Sequence, residues 1–191
     1  PVQIAAPGVE TAPAACLRPG PDPALVRRAA ALLARAAKPL IIAGGGCVSS
    51  DAGAALASVS ELLQAPIVLT ANGKGCISDD HPLVLGNLSY DDALRTLLSE
   101  CDGLLAVGTR FSAMNTRGFS WPVPRELVHF DVDAAELSRN YPAAVAVPSD
   151  ARLGLESLLT ALGELVTTPR APRSDEVAAI RAKVFPGDIT A

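Results

Sequence analysis

Short, largely apolar runs recur along this chain with amphipathic segments between them, an alternation that few folds satisfy. Leu40-Ile41-Ile42-Ala43 and residues 67–70, 104–107, 127–131 and 144–147 read as strands, with a further short segment at 83–85. Runs that are apolar on both faces belong in a sheet covered on both sides. Between them, Asp22 offers an N-cap and Pro23 a first helical residue, and residues 24–37 place Leu25, Ala29, Leu32, Leu33 and Ala36 on one face. A second helical pattern covers 51–64 through Ala55, Leu56, Val59, Leu62 and Leu63 and stops at Ala65-Pro66. Others cover 91–100 and 151–166, with a short helix near 134–137 and a helical turn around 176–183. This order predicts an α/β fold: a Rossmann-like, six-stranded parallel sheet of the DHS-like NAD/FAD-binding type, helices on both faces and right-handed crossovers.

A chain of 191 residues that is 49% hydrophobic can bury one such core with tails on either side. Residues 1–21 are proline-rich and aperiodic, which predicts a linker into the first helix, and residues 167–191 read as a second linker. A net charge of −4 leaves no basic footprint for nucleic acid. Apolar runs stay far below the roughly 20 residues that span a bilayer, and the N-terminus lacks the regions of a signal peptide. The expectation is a cytoplasmic protein with no membrane or nucleic-acid partner. Cys16, Cys47, Cys76 and Cys101 are scattered without a C-x-x-C pair, and His81 and His129 lie far apart. Reduced thiols, structural histidines and no metal site are therefore expected.

In open parallel sheets, ligands lie beyond the carboxyl ends of the strands. The first strand empties into Gly44-Gly45-Gly46. Residues without Cβ let the backbone turn sharply and let phosphate approach its N–H groups, with the next helix presenting its positive end. The φ angles of a tight turn explain the same triplet equally well. Later strand ends supply Thr70, Gly108-Thr109-Arg110, Asp131-Val132 and Asp150. Arg110 would suit a phosphate and Asp131 a ribose. Against this, Arg110 could pair with a surface acid, Asp131 could cap the helix near 134, and Asp150 could cap the last helix. The dinucleotide fingerprint fails at Ser49, where glycine or alanine is needed, and at Thr70, where the second strand lacks its ribose-binding acid. No nucleophile elbow or Walker loop is present, and no residue here is expected to be catalytic.

The loops in their order carry more than any one of them. Ala37-Lys38-Pro39 leads to Ala43 and the glycines; Ala65-Pro66, Gly73-Lys74-Gly75 and Asp80-His81-Pro82-Leu83 with Gly86 follow. Then come the stretch from Asp102-Gly103 through Arg110-Phe111, His129-Phe130-Asp131-Val132-Asp133, and Asp150. Over about residues 23–166 this resembles the central domain of thiamine diphosphate-dependent enzymes of the acetolactate synthase, benzoylformate decarboxylase and oxalyl-CoA decarboxylase group.

The resemblance implies a preceding domain whose glutamate activates the cofactor and a following domain that holds its diphosphate through magnesium. Pro1-Val2-Gln3-Ile4 resembles the last strand of the preceding domain, and Pro186-Gly187-Asp188 is not the family's G-D-G motif. The implied organisation is residues 1–21 as a linker from a missing N-terminal domain, 22–166 as the central domain, and 167–191 as a linker toward a missing C-terminal one. The parent would be a homo-oligomeric 2-oxo acid decarboxylase or carboligase using thiamine diphosphate and Mg2+, with this domain mainly structural and inactive alone. In the flavin-containing synthases the central domain binds the ADP half of FAD; in oxalyl-CoA decarboxylase it binds ADP; in benzoylformate decarboxylase it binds neither. Carried over, the nucleotide contacts are Gly44, Gly45, Gly46, Thr70, Gly108, Thr109, Arg110, Asp131, Val132 and Asp150. Ser112-Ala113-Met114 replaces the synthases' Asp-Asp-Arg, and Tyr90-Asp91-Asp92 their Met-His-Gly, which weighs against flavin more than against ADP. The rival expectation is an autonomous adenine-nucleotide or flavin-binding module. Its sirtuin-like form would need a catalytic histidine and a zinc cysteine quartet.

Overall fold

Helix α1 (Pro23–Arg35) starts as its sequence dictates: the Asp22 carboxylate accepts the Ala24 N–H at 2.7 Å, and Pro23 occupies a position whose N–H would have had no partner. In the computed structural model, which describes residues 18–89 and 91–186, the chain then alternates as expected. Strand β1 (Pro39–Ala43) is followed by α2 (Gly45–Ser49), α3 (Gly53–Leu63) and β2 (Ile67–Leu69). A single 3-10 turn at Ala71–Gly73 leads to β3 (Val84–Gly86), α4 (Asp92–Glu100), β4 (Gly103–Val107) and β5 (Leu127–Asp131). Strand β6 (Val145–Pro148), α5 (Ala151–Leu165) and α6 (Ser174–Val184) complete it. The strand expected at residues 1–4 and the departure at Tyr90 lie outside the described residues.

All six strands are parallel, in the order β3-β2-β1-β4-β5-β6, so the order reverses between β1 and β4. The two-residue period of a strand divides its side chains between two cores. Ile41, Ala43, Leu69, Leu105, Val107, Val128 and Phe130 meet α1, α3 and α5 on one face. Leu40, Ile42, Val68, Leu104, Ala106 and Leu127 meet α4, α6 and the aromatic residues Phe111 and Trp121 on the other. This is the α/β, Rossmann-like sheet that the alternation predicts.

Local expectations fail where tertiary contacts intervene. The helix expected from Asp51 does not begin there: Asp51 adopts a left-handed φ of 55° between α2 and α3. The short helix expected near 134–137 is a run of turns. Asp131 accepts from Asp133 N–H at 3.0 Å and Asp133 from Ala135 N–H at 2.9 Å, so side chains take the donors a helix would use, and Ser138 turns left-handed at φ 59°. Strand β2 stops at Leu69 because Thr70 turns the chain, its hydroxyl accepting the Gly73 N–H at 3.1 Å.

The C-terminal segment is more tightly tied than a helical turn at 176–183 would be. Helix α6 has 11 residues, buries Val177 and packs beside β3. Ahead of it, Arg170 donates to the carbonyls of Ala36 and Ala34 at 2.6 and 2.7 Å and closes the end of α1, while Arg173 reaches the Pro39 carbonyl at 2.9 Å.

Candidate functional site

The reversal of strand order opens a crevice between the carboxyl ends of β1 and β4, as it must when crossovers leave in opposite directions. A cleft of about 780 Å³ lies there. Of the residues singled out from the sequence, Gly45, Gly46, Thr70, Gly108, Thr109, Arg110, Asp131, Val132 and Asp150 line it. Gly44 lies beneath, among the backbone that forms the floor.

That floor explains the glycines first as packing. The Gly44 N–H donates to the Val107 carbonyl at 2.9 Å and the Gly46 N–H to the Gly108 carbonyl at 3.0 Å, so two of the three donors are already engaged. A Cβ on Gly46 would lie 2.6 Å from the Gly108 Cα, and Gly108 itself holds φ 58°. Two loops thus cross with no room for side chains. Helix α2 has only 5 residues, and α3 starts at Gly53, so no long helix aims its N-terminus at the crevice from the triplet.

The polar groups differ in how free they are. Asp150 caps α5: its Oδ1 accepts from the N–H groups of Arg152 and Leu153 at 3.0 and 3.2 Å, and its Oδ2 meets Arg18 at 3.3 Å. Both oxygens are occupied by protein. Asp131, at the end of β5, is buried and uses Oδ1 on the Asp133 N–H, while its Oδ2 has no hydrogen bond among the described residues. Arg110 is exposed at the rim, and among the described residues its guanidinium has no acid partner. Only its carbonyl is held, accepting from Asn140 Nδ2 at 2.9 Å. Val132 stands 62% exposed beside Asp131, an apolar surface at the mouth of a polar cleft. The buried Ser149 hydroxyl, on the same lining, has no partner among the described residues.

Under the cleft, His129 holds the β4 loop. Its Nε2–H donates to the Thr109 carbonyl at 2.8 Å, which can only accept, so in the neutral ring Nδ1 carries the lone pair, and it has no partner among the described residues. The ring packs edge-on against Phe111, 5.3 Å between centroids, and Phe111 in turn meets Tyr141 at 5.1 Å. Burial pulls His129 below its ordinary value of 6.5, against the opposing pull of the Thr109 bond. In the unfolded chain the imidazole takes up its proton first as pH falls. Stability contributed by neutral His129 is therefore complete above about pH 6.5 and declines below it. Denaturant unfolding between about pH 7 and pH 5 should show that decline, and His129→Gln, which keeps a donor for Thr109, should flatten it; an unchanged slope would remove His129 as its source.

The comparisons with known proteins concern the family and the fold. The family model described as "Thiamine pyrophosphate enzyme, central domain" covers residues 26–158. The chain belongs to that family. The central domain is 37% identical over 143 residues to a "Probable acetolactate synthase large subunit" of Methanocaldococcus jannaschii, covering 73% of this chain and 24% of that protein. It is 38% identical over 170 residues to a probable 2-ketoarginine decarboxylase of Pseudomonas aeruginosa (87% and 30%), and 32% identical over 152 residues to the glyoxylate carboligase of Escherichia coli O157:H7 (77% and 26%). The chain thus spans about a quarter to a third of these relatives. Among solved structures, benzoylformate decarboxylase from Polynucleobacter necessarius shares the fold, with a TM-score of 0.64 at 24% identity over 83% of this chain and 30% of that one.

Other lining residues of the central domain had no signal of their own. Arg18, placed by sequence in a linker, donates to the Ser50 carbonyl at 2.9 Å and to Asp150, and so closes one side of the cleft. Asn72 and Ser149 arrive with the turn after β2 and the end of β6. Ser112, where the synthases carry aspartate, also lines the cleft, whereas Met114 is 74% exposed and does not. No helix among the described residues is long and apolar enough to cross a membrane.

Proposed function

We propose that this chain is the central, mainly structural domain of a thiamine diphosphate- and Mg2+-dependent 2-oxo acid decarboxylase or carboligase, and that its crevice holds the ADP part of an adenine nucleotide. What supports the nucleotide most is the set of groups left uncommitted on one cleft at the switch point: the Arg110 guanidinium, the Asp131 Oδ2 and the exposed Val132. They suit a phosphate, a ribose hydroxyl and a base face respectively. The fitted residues reduce to these three together with Gly45, Gly46, Thr70, Gly108 and Thr109 as lining; Gly44 and Asp150 support the walls. With Ser112 in place of an acid on the lining, ADP suits the cleft better than the whole of FAD.

The thiamine cofactor does not fit this domain. Among the described residues no three His, Cys, Asp or Glu side chains come together to hold a metal ion, and the acids of the cleft are spent on caps and turns or single. In this reading the cofactor and its metal belong to flanking domains, the 2-oxo acid substrate meets those domains, and the parent is a cytoplasmic homo-oligomer. This domain's part is to set the spacing of its neighbours and to carry the nucleotide as a brace.

Calorimetric titration with ADP and with FAD tests the cleft. ADP should bind and raise the melting temperature, and saturation at a hundredfold excess over Kd should add about 2.7 kcal/mol. Arg110→Ala should weaken ADP by about ten- to a hundredfold without altering the unliganded melting temperature, as expected for loss of one charge-assisted contact on an exposed side chain. Neither heat nor stabilisation with either nucleotide would leave the structural role alone.

A further inference from the structure

Cys47 and Cys76 are 29 positions apart in sequence and show no pattern, yet the fold sets them side by side. Cys47 lies in α2, wholly buried, with its thiol donating to the Val107 carbonyl at 3.5 Å. Cys76 ends the turn after β2, half-buried, and packs against the same core. The two side chains pack into one core from adjoining segments. Both stand on fixed backbone. Helix α2 packs on the Ala71–Gly73 turn, where even the bare Gly45 is so close that a Cβ there would sit 3.2 Å from the Asn72 Cβ. The Cys76 N–H donates to the Gly73 carbonyl at 3.2 Å, and the Cys76 carbonyl occupies the space a side chain on Gly53 would need.

From this juxtaposition we propose that Cys47 and Cys76 form a peroxide-sensitive dithiol that closes to a disulfide, tethering α2, one wall of the cleft, to the turn after β2. The chemistry divides between the two by exposure. Cys76 is half-buried and Cys47 wholly buried, so a small oxidant meets Cys76 first. The Cys47 side chain holds Cys76 below the usual thiol range, while Cys76 and burial together hold Cys47 above it. The Cys76 thiolate attacks one oxygen of hydrogen peroxide; the S–O bond forms, the O–O bond breaks, and the departing hydroxide takes a proton to become water. Cys47, losing its proton, then attacks the Cys76 sulfur, forming the S–S bond and expelling the second oxygen as water. Two thiols lose two hydrogens and two electrons, and one peroxide becomes two waters. Cys101 lies elsewhere: its thiol donates to the Leu98 carbonyl at 3.4 Å, and burial pushes it up to about 12.

The test is peptide mass mapping of the protein after dilute hydrogen peroxide, with remaining thiols alkylated. The expected product is a peptide pair joined through Cys47 and Cys76, lighter by two hydrogens and reopened by dithiothreitol. Cys47→Ser should leave Cys76 as a sulfenic acid that dimedone traps, and Cys76→Ser should leave Cys47 a free thiol. No oxidation, over-oxidation of Cys76 in the wild-type protein without the linked pair, or links formed to Cys16 or Cys101 instead would each overturn the proposal, and the wild-type map alone decides if either variant misfolds.

Discussion

Gly44→Ala is expected to lower stability by more than about 3 kcal/mol, a fall of roughly 10 °C in melting temperature for a chain of this size. The added methyl would fall onto the Gly108 carbonyl and lie 2.8 Å from the Thr109 Cβ, and neither neighbour can give way. Gly108 is fixed at φ 58°, its N–H bonded to the Phe130 carbonyl at 2.8 Å, while its carbonyl accepts from Gly46. Moving it would separate β1 from β4 at the centre of the sheet. The loss should be the same with and without nucleotide, because Gly44 is not on the lining of the cleft. Gly45→Ala is the control: its methyl would meet the Asn72 Cβ at 3.2 Å, which a shift of a few tenths of an ångström relieves. Thermal unfolding of both proteins separates the two origins of the glycine run. A loss at Gly45 as large as at Gly44 would show the whole turn to be under one steric constraint; little loss at Gly44 would mean the crossing loops are free to part.

That contrast also shows what a sequence can and cannot disclose here. The sheet was legible because its strands are buried on both faces and so are written in consecutive apolar residues, with no need for a partner to be known. Helix α1 was legible because Asp22 and Pro23 act on neighbouring backbone. The break at Asp51 was not, since it arises where α2 and the start of α3 pack against the turn carrying Cys76, a contact between distant segments. The same is true of Arg18 and Arg170, whose guanidinium groups reach carbonyls 32 and 134 positions away. At the cleft, residue types and strand ends were enough to name about half of the lining, but not Arg18 or Asn115, and not the hydrogen-bond commitments of the named groups. Asp131 and Asp150 look equivalent as letters. One keeps an oxygen that has no hydrogen bond among the described residues and the other has spent both, because only Asp150 stands at the start of a fifteen-residue helix with open N–H groups in front of it. The comparisons settle the family and the structure places the groups, and neither is contained in the other.

The end of strand β5 offers the second large effect, because core and cleft meet there. Phe130→Ala should cost about 3–5 kcal/mol, the usual range for removing a fully buried ring. Phe130 is wholly buried, and Gly154 of α5 is pressed so closely upon it that a Cβ there would lie 2.6 Å from the ring. Gly154 itself has no side chain to fill the void. Two residues along, past the end of the strand, Val132 faces solvent at 62% exposure, and Val132→Ser should leave the melting temperature within about 2 °C, as for surface substitutions generally. Its effect belongs to the ligand: ADP should bind about fivefold more weakly, the equivalent of roughly 1 kcal/mol of apolar contact with the base. Phe130→Ala should weaken ADP as well, but only as the folded fraction falls, so that adding a stabilising osmolyte restores the affinity. Osmolyte should do nothing for Val132→Ser. If it rescued both variants equally, Val132 would be part of the fold and not of the site. If it rescued neither, the ring of Phe130 would be setting the position of Asp131 directly, through the strand they share.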